Sequence, residues 1–396
     1  MTYSVSNNLS KMPRSFSDSY QPPQKPSTLV HLPPTLLKQK ANSYPLKSRP
    51  KIKWITDANS TASKSIKELF DKEGFIKEEV LGQGHYSTVL KCYDPKKKCR
   101  FVFKKIYSCW FKHSDQDKCK FFTIDIRNGH VSRGEGLGFF PNHRNVLKVW
   151  GMVVWDFEAG LYRRRDNIFS MIEMRKKERI AGVLTEYIPG ALDLFNFITT
   201  VKPLRKSDIN HILYQVACGI QAIHRLNCIH RDIKLENVLV NPKTKEAKII
   251  DFGFMYNLKS GQHLRAMTRC GSTPYTAPEN HLKQGQTAKG DLWSLGVLMH
   301  TACFGRYPFF YCEGNMRKTV QNMLNFVNSG QSIREASSGY IDKKNPLANS
   351  QALWELLSSL LCAEKRRASI DEVLKSPFWE LNRPSQINKK HVLRKI

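Results

Sequence analysis

The sequence predicts an α+β architecture in which a strand-rich half precedes a helix-rich half. Two observations carry this. Around Phe75 the chain falls into short β-branched and aromatic runs bounded by turn residues, as in Phe75 to Leu81, Thr88 to Tyr93 and Cys99 to Ile106, which read as successive strands. Beyond Asp208 the apolar period becomes helical, with Ile209, Ile212, Leu213, Val216, Ile220 and Ile223 on one face, and helices dominate to about Trp379. At 396 residues with 41% hydrophobic and 24% charged residues, the chain is long enough for a sizeable core and excludes a wholly disordered or fibrous protein.

Three stretches stand apart from these halves. Residues 1–74 are taken as a disordered basic tail, rich in Ser and Pro with almost no apolar periodicity up to about Ser65. Between Asp156 and Ile180, Arg163-Arg164-Arg165 and Arg175-Lys176-Lys177 suit an exposed basic insert better than a core element. Residues 380–396 are again polar and basic. Lys and Arg number 63 against 34 Asp and Glu, a net charge of +29, which invites an anionic membrane surface or a nucleic acid as partner. No aromatic-interleaved RNA motif or zinc-finger spacing supports the latter.

The longest apolar run, Leu292 to Phe304, is too short to span a bilayer and carries His300. The first residues lack a secretory apolar core, and Thr2 excludes myristoylation. Ten scattered cysteines then favour reduced thiols in an intracellular, cytoplasmic or nuclear, setting. Cys92, Cys99, Cys109 and Cys119 cluster without paired two-residue spacings, so free thiols are preferred over a zinc site.

The chemistry-bearing residues form an ordered series. In Leu81-Gly82-Gln83-Gly84-His85-Tyr86-Ser87-Thr88-Val89, two glycines occupy a turn between strands, where a missing Cβ lets backbone N–H groups approach phosphate oxygens. Lys104 lies in the apolar strand Phe101 to Lys104, a costly place for a cation without an anionic partner. Ile229 to Asn237 packs His230, Arg231, Asp232, Lys234, Glu236 and Asn237 into one loop. Asp251, before Phe252-Gly253, ends a short strand with a carboxylate suited to a hard cation.

Together with Ala277-Pro278-Glu279, this order resembles the eukaryotic-type protein kinase family from about Phe75 to Trp379. The resemblance implies a two-lobed fold: a small antiparallel sheet lobe (75–200, with the basic insert near 156–180), a larger helical lobe (201–379), and ATP in the cleft between them. It implies ATP- and Mg2+-dependent transfer of the γ-phosphoryl group to Ser or Thr of protein substrates. Lys234 and Gly271-Ser272-Thr273-Pro274-Tyr275 match the serine/threonine pattern, while Leu192 to Ile198 looks most like the calmodulin-dependent-kinase-like group.

Carried over residue by residue, Lys104 would hold the α- and β-phosphates, and Asn237 and Asp251 would bind magnesium. Asp232 would accept or orient the hydroxyl proton, with Lys234 steadying the γ-phosphate. Residues Leu81 to Val89 would cover the nucleotide. Thr185 would guard the back of the adenine pocket, and Glu186 and Ile188 would offer it backbone groups. Glu279, Asp291 and Arg367 would be structural, Arg367 pairing with Glu279 and Asp291 opening the central buried helix.

Some positions depart from the pattern. Ser87 replaces the usual third glycine. The candidate partner of Lys104 is Glu135, but Gly134 and Gly136 flank it and weaken any helix by roughly 1 kcal/mol each; the competing reading is a surface turn residue. Thr268 is a candidate activating phosphosite that Arg231 could pair with, against an unmodified loop threonine. His224 and His263 read as ordinary helix-surface or loop histidines. Glu236 and Asp193 resemble positions that would favour basic residues upstream of the acceptor. The rival functions are a pseudokinase scaffold and a basic surface-binding protein.

Overall fold

A computed structural model describes residues 65–83, 87–107, 141–156, 159–165, 178–201, 205–258, 271–282, 285–308 and 310–382. The N-terminal lobe opens with helix α1 (Ile66–Glu73), then strands β1 (Ile76–Gln83), β2 (Ser87–Asp94), β3 (Cys99–Ile106), β4 (Val149–Asp156), β5 (Leu161–Arg165) and β6 (Glu178–Glu186). They form one antiparallel sheet in the order β1-β2-β3-β6-β4-β5. The three strands expected from alternation are there. Phe101 and Phe103 point to one face and Val102 and Lys104 to the other, so the register that buries the phenylalanines also delivers Lys104 to the cleft side.

Two expectations are corrected here. Residues 66–73 are helical, so the disordered reading of 1–74 fails at its C-terminal end. Ser65 caps α1 by accepting the Glu68 N–H, and Gly74 terminates it with φ 76°. Ile66 and Phe70 are buried against Phe75, Leu90, Phe101 and Phe103, because the outer face of the sheet is apolar and needs a cover. Phe70 lies 4.9 Å from the Phe103 ring and 5.4 Å from Phe75. The second correction concerns the basic insert: Leu161–Arg165 is an added edge strand on β4 rather than a loop. An edge tolerates charge, and Arg164 is held at 3.0 Å by Glu73 of α1, its guanidinium 5.0 Å from the Phe75 ring. Residues 166–177 of that insert lie outside the described residues.

The C-terminal lobe contains β7 (Leu192–Asp193), α2 (Leu194–Thr200), α3 (Lys206–His224), β8 (Cys228–Ile229), β9 (Val238–Val240), β10 (Ala247–Ile249) and β11 (Tyr256–Asn257). Next come α4 (Pro278–His281), α5 (Ala288–Phe304), α6 (Met316–Ser329), α7 (Ile333–Ser337), α8 (Gln351–Leu360) and α9 (Ile370–Leu374). The predicted apolar face of α3 is buried, and α5 is buried almost all round, as a helix at the centre of a lobe must be. The chain closes on α3: Asn210 Nδ2 donates to Phe378 O at 2.6 Å, and Trp379, fully buried, donates its indole N–H to Val373 O. Among the described residues no helix is long and apolar enough to cross a membrane.

Candidate active site

The loop from His230 to Asn237 is fixed from below by one carboxylate. Asp291, in the first turn of α5, accepts the His230 N–H at 2.8 Å on Oδ2 and the Arg231 N–H at 2.9 Å on Oδ1, and His224 Nε2 lies 2.8 Å from Oδ2. Burial would push the Asp291 pKa up, but the His224 hydrogen bond and charge, with the His230 contacts, hold it below the ordinary value. His224 is therefore no surface histidine, contrary to the sequence reading. Its side chain is 9% exposed, with Nε2 against the buried Asp291 carboxylate. The loop pays for its path with Arg231 at φ 69°, a left-handed conformation unusual for a side chain of that size.

Above this support the polar side chains converge. Asp232 Oδ2 accepts from Asn237 Nδ2 at 2.8 Å and meets Lys234 Nζ at 2.8 Å. Its Oδ1 accepts from Ser272 N at 3.1 Å and Ser272 Oγ at 3.0 Å, while Lys234 Nζ also donates to Ser272 Oγ at 2.8 Å. Asp232 is thus oriented by an amide, an ammonium and a hydroxyl at once. Ser272 reaches it because Gly271 sits at φ 98°, where a Cβ would stand 2.6 Å from the Arg231 carbonyl. Ser272 as a partner of Asp232 was missed in the sequence; its pattern was visible, but its contact was not.

Asn237 and Asp251 are neighbours through the backbone, since Ile250 N–H donates to Asn237 O at 2.9 Å. Asp251 adopts φ 63° and accepts the Gly253 N–H, and its Oδ1 receives Lys104 Nζ at 2.6 Å. Partial burial raises the Asp251 pKa, but the Lys104 charge and hydrogen bond outweigh it and keep the carboxyl below its usual range. Among the described residues Lys104 meets the carboxylate of Asp251; Glu135, the expected partner, lies outside the described residues, as do Thr268, His263, Gly84, His85 and Tyr86.

The described part of the glycine turn, Leu81, Gly82 and Gln83 followed by Ser87, Thr88 and Val89, forms the end of the β1–β2 hairpin, with Gln83 opposite Thr88. Leu81 is 44% exposed, and Thr88 Oγ1 bonds the Tyr107 hydroxyl at 2.8 Å. Thr185, buried, pairs with Val102 beside Lys104. The Glu186 N–H is committed to Lys148 O, and its carboxylate is held by Lys148 N and Lys248 Nζ. Of the two expected adenine contacts, the Ile188 N–H has no hydrogen-bond partner among the described residues; the Ile188 carbonyl accepts from Ala191 N.

Arg367, fully buried, grips Glu279 with two N–H groups at 2.6 and 3.2 Å and donates to Lys289 O and Cys362 O. Among the described residues no group of His, Cys, Asp or Glu is assembled as a multi-ligand metal site, and Cys92 and Cys99 are free thiols.

Residues 160–379 match the protein kinase domain. The chain belongs to the protein kinase family. It is similar to the serine/threonine-protein kinase ppk16 of Schizosaccharomyces pombe, 33% identical over 220 residues, 54% of this chain and 30% of that protein. It is also similar to the DNA damage response protein kinase DUN1 of Saccharomyces cerevisiae, 28% identical over 366 residues, 84% of this chain and 61% of that one. Human serine/threonine-protein kinase ULK1 is 27% identical over 248 residues, 60% of this chain and 22% of that protein. The match thus spans less than two thirds of each of these relatives.

Proposed function

We propose that this chain transfers the γ-phosphoryl group of ATP, with Mg2+, to serine or threonine side chains of proteins. The observation that carries the reading is the constellation around Asp232: a buried carboxylate whose two oxygens are aimed by Asn237, Lys234 and Ser272. Phosphoryl transfer asks mainly for in-line positioning and for cations around the phosphate oxygens. Asp232 is placed to orient the acceptor hydroxyl and take its proton, and Lys234 to neutralise charge on the group in flight. Lys104 would hold the α- and β-phosphates.

The donor set suits magnesium, which prefers hard oxygens and few protein ligands. Asp251 offers a carboxylate with a depressed pKa, 37% exposed at the cleft. With Nδ2 of Asn237 committed to Asp232, its amide oxygen Oδ1 is the atom suited to a cation. Bound magnesium supplies positive charge that offsets the phosphate oxygens.

For the substrate, Glu236 supports basic residues near the acceptor. Its Oε2 is buried with no hydrogen-bond partner among the described residues, an arrangement that favours an incoming cation. Tyr275 and Tyr307 lie within its field: burial first, then Glu236 among other neighbours, raises the hydroxyl pKa of Tyr275, and burial with the same carboxylate pushes Tyr307 up to about 12. Asp193 contributes less, since both its oxygens are held by Asn196 as the cap of α2. The narrower calmodulin-dependent-kinase-like grouping rests on Leu192 to Ile198, following Thr185 to Ile188. Phosphorylation of a peptide array by the full chain, compared with Asp232→Asn, tests the reading.

A further inference from the structure

Away from the cleft, a cavity of about 530 Å3 opens where α2, the start of α3 and the end of α5 meet the loop before α8. Its size falls in the range of about 300–1,000 Å3 typical of small-molecule sites. The walls are apolar, with Phe195, Ile198, Ile209, Leu235, Phe304 and Leu347 among them. The polar side chains of the wall are already used: Thr301 bonds Val297 O, Thr199 bonds Phe195 O, and Asn345 bonds Cys303 O. Lys206 is the exception. It lines the cavity, is exposed, and makes no hydrogen bond or ion pair among the described residues. Its charge reaches the interior wall, where it opposes the burial that pushes the Cys303 thiol up to about 12. A cation in the first turn also works against the helix dipole of α3, so the helix itself gains nothing from it.

We propose that this cavity binds an amphipathic carboxylate, a medium- or long-chain fatty acid, with the chain against the apolar walls and the carboxylate at Lys206. The apolar surface supplies the affinity and the single unpartnered ammonium the preference for an anion. Leu235 joins the site to the catalytic loop, being the residue between Lys234 and Glu236.

Isothermal titration calorimetry of the full chain with dodecanoate, and with dodecanol as the uncharged control, tests this without any kinase assay. Saturable one-to-one binding of dodecanoate is expected, weakened about five-fold or more in Lys206→Glu and for dodecanol. Because a +29 chain attracts anionic amphiphiles over its whole surface, two blocking variants decide the location. Ala302→Trp fills the cavity, and Thr199→Trp obstructs it from a partly exposed wall position should Ala302→Trp fail to fold. Loss of the saturable phase in the folded blocking variant supports the site. Non-saturable uptake, undiminished binding in a folded Thr199→Trp, or equal affinity in Lys206→Glu overturns it.

Discussion

Lys104 and Asp251, 147 residues apart in the chain, meet at 2.6 Å and tie the sheet lobe to the floor of the cleft. In the proposed reaction Lys104 would face the phosphates and Asp251 the metal, and neither belongs to a hydrophobic cluster. Lys104→Met and Asp251→Asn should each abolish phosphoryl transfer while leaving cooperative unfolding, checked by autophosphorylation with labelled ATP beside thermal melting. The depressed pKa of Asp251 gives a sign: the pair is intact above the ordinary carboxylate range and is lost as pH falls through the lowered folded value.

Helix α1 makes the N-terminal boundary a stability question. Phe70→Ala removes a buried ring from the outer face of the sheet and should cost about 3–5 kcal/mol by urea denaturation. A chain beginning at Ser65 should retain turnover on a peptide, whereas one beginning at Phe75 should be markedly less stable. Equal stability of the two truncations would mean that α1 does not cover the sheet as observed.

His300 is buried in α5, its Nδ1–H donating to Arg306 O at 2.9 Å and its Nε2 3.3 Å from the Tyr340 hydroxyl. Burial lowers its pKa to about 4, so between pH 6.5 and 4 the unfolded chain binds the proton that the folded chain refuses. Stability should therefore fall with pH across that window, by about 3 kcal/mol from this group at its lower end. His300→Asn, which keeps a donor for Arg306 O, should flatten that part of the profile in pH-dependent denaturation.

On a degenerate peptide library the wild type should select Arg or Lys upstream of the acceptor, and Glu236→Gln should lose much of that selection. Its Oε2, buried and without a hydrogen-bond partner among the described residues, is the atom that such a side chain would satisfy. Selection of Asp or Glu instead would point to a different role for Glu236.

What the sequence revealed was whatever short range encodes. Alternation marked β1, β2 and β3, the helical period marked α3, and the loop densities marked Asp232, Asn237 and Asp251. The misses have physical causes. Helix α1 carried its own signals, Ser65 three residues before Glu68 and Gly74 after the last turn, but a Ser- and Lys-rich surrounding masked them. Strand β5 looked like a loop because charge is tolerated on a sheet edge. His224 could not be read as a partner of Asp291 because that residue lies 67 positions away, and Ser272 likewise meets Asp232 across 40.

The most direct test is the initial rate of labelled phosphate transfer from ATP to a Ser/Thr peptide pool by wild type and Asp232→Asn, with nucleotide binding measured on the same samples. Asn keeps the side chain's shape but removes the carboxylate that accepts from Asn237 and Ser272. The expected result is a fall of roughly 100-fold or more in rate, with ATP affinity little changed. Transfer at the wild-type rate in Asp232→Asn would contradict the account.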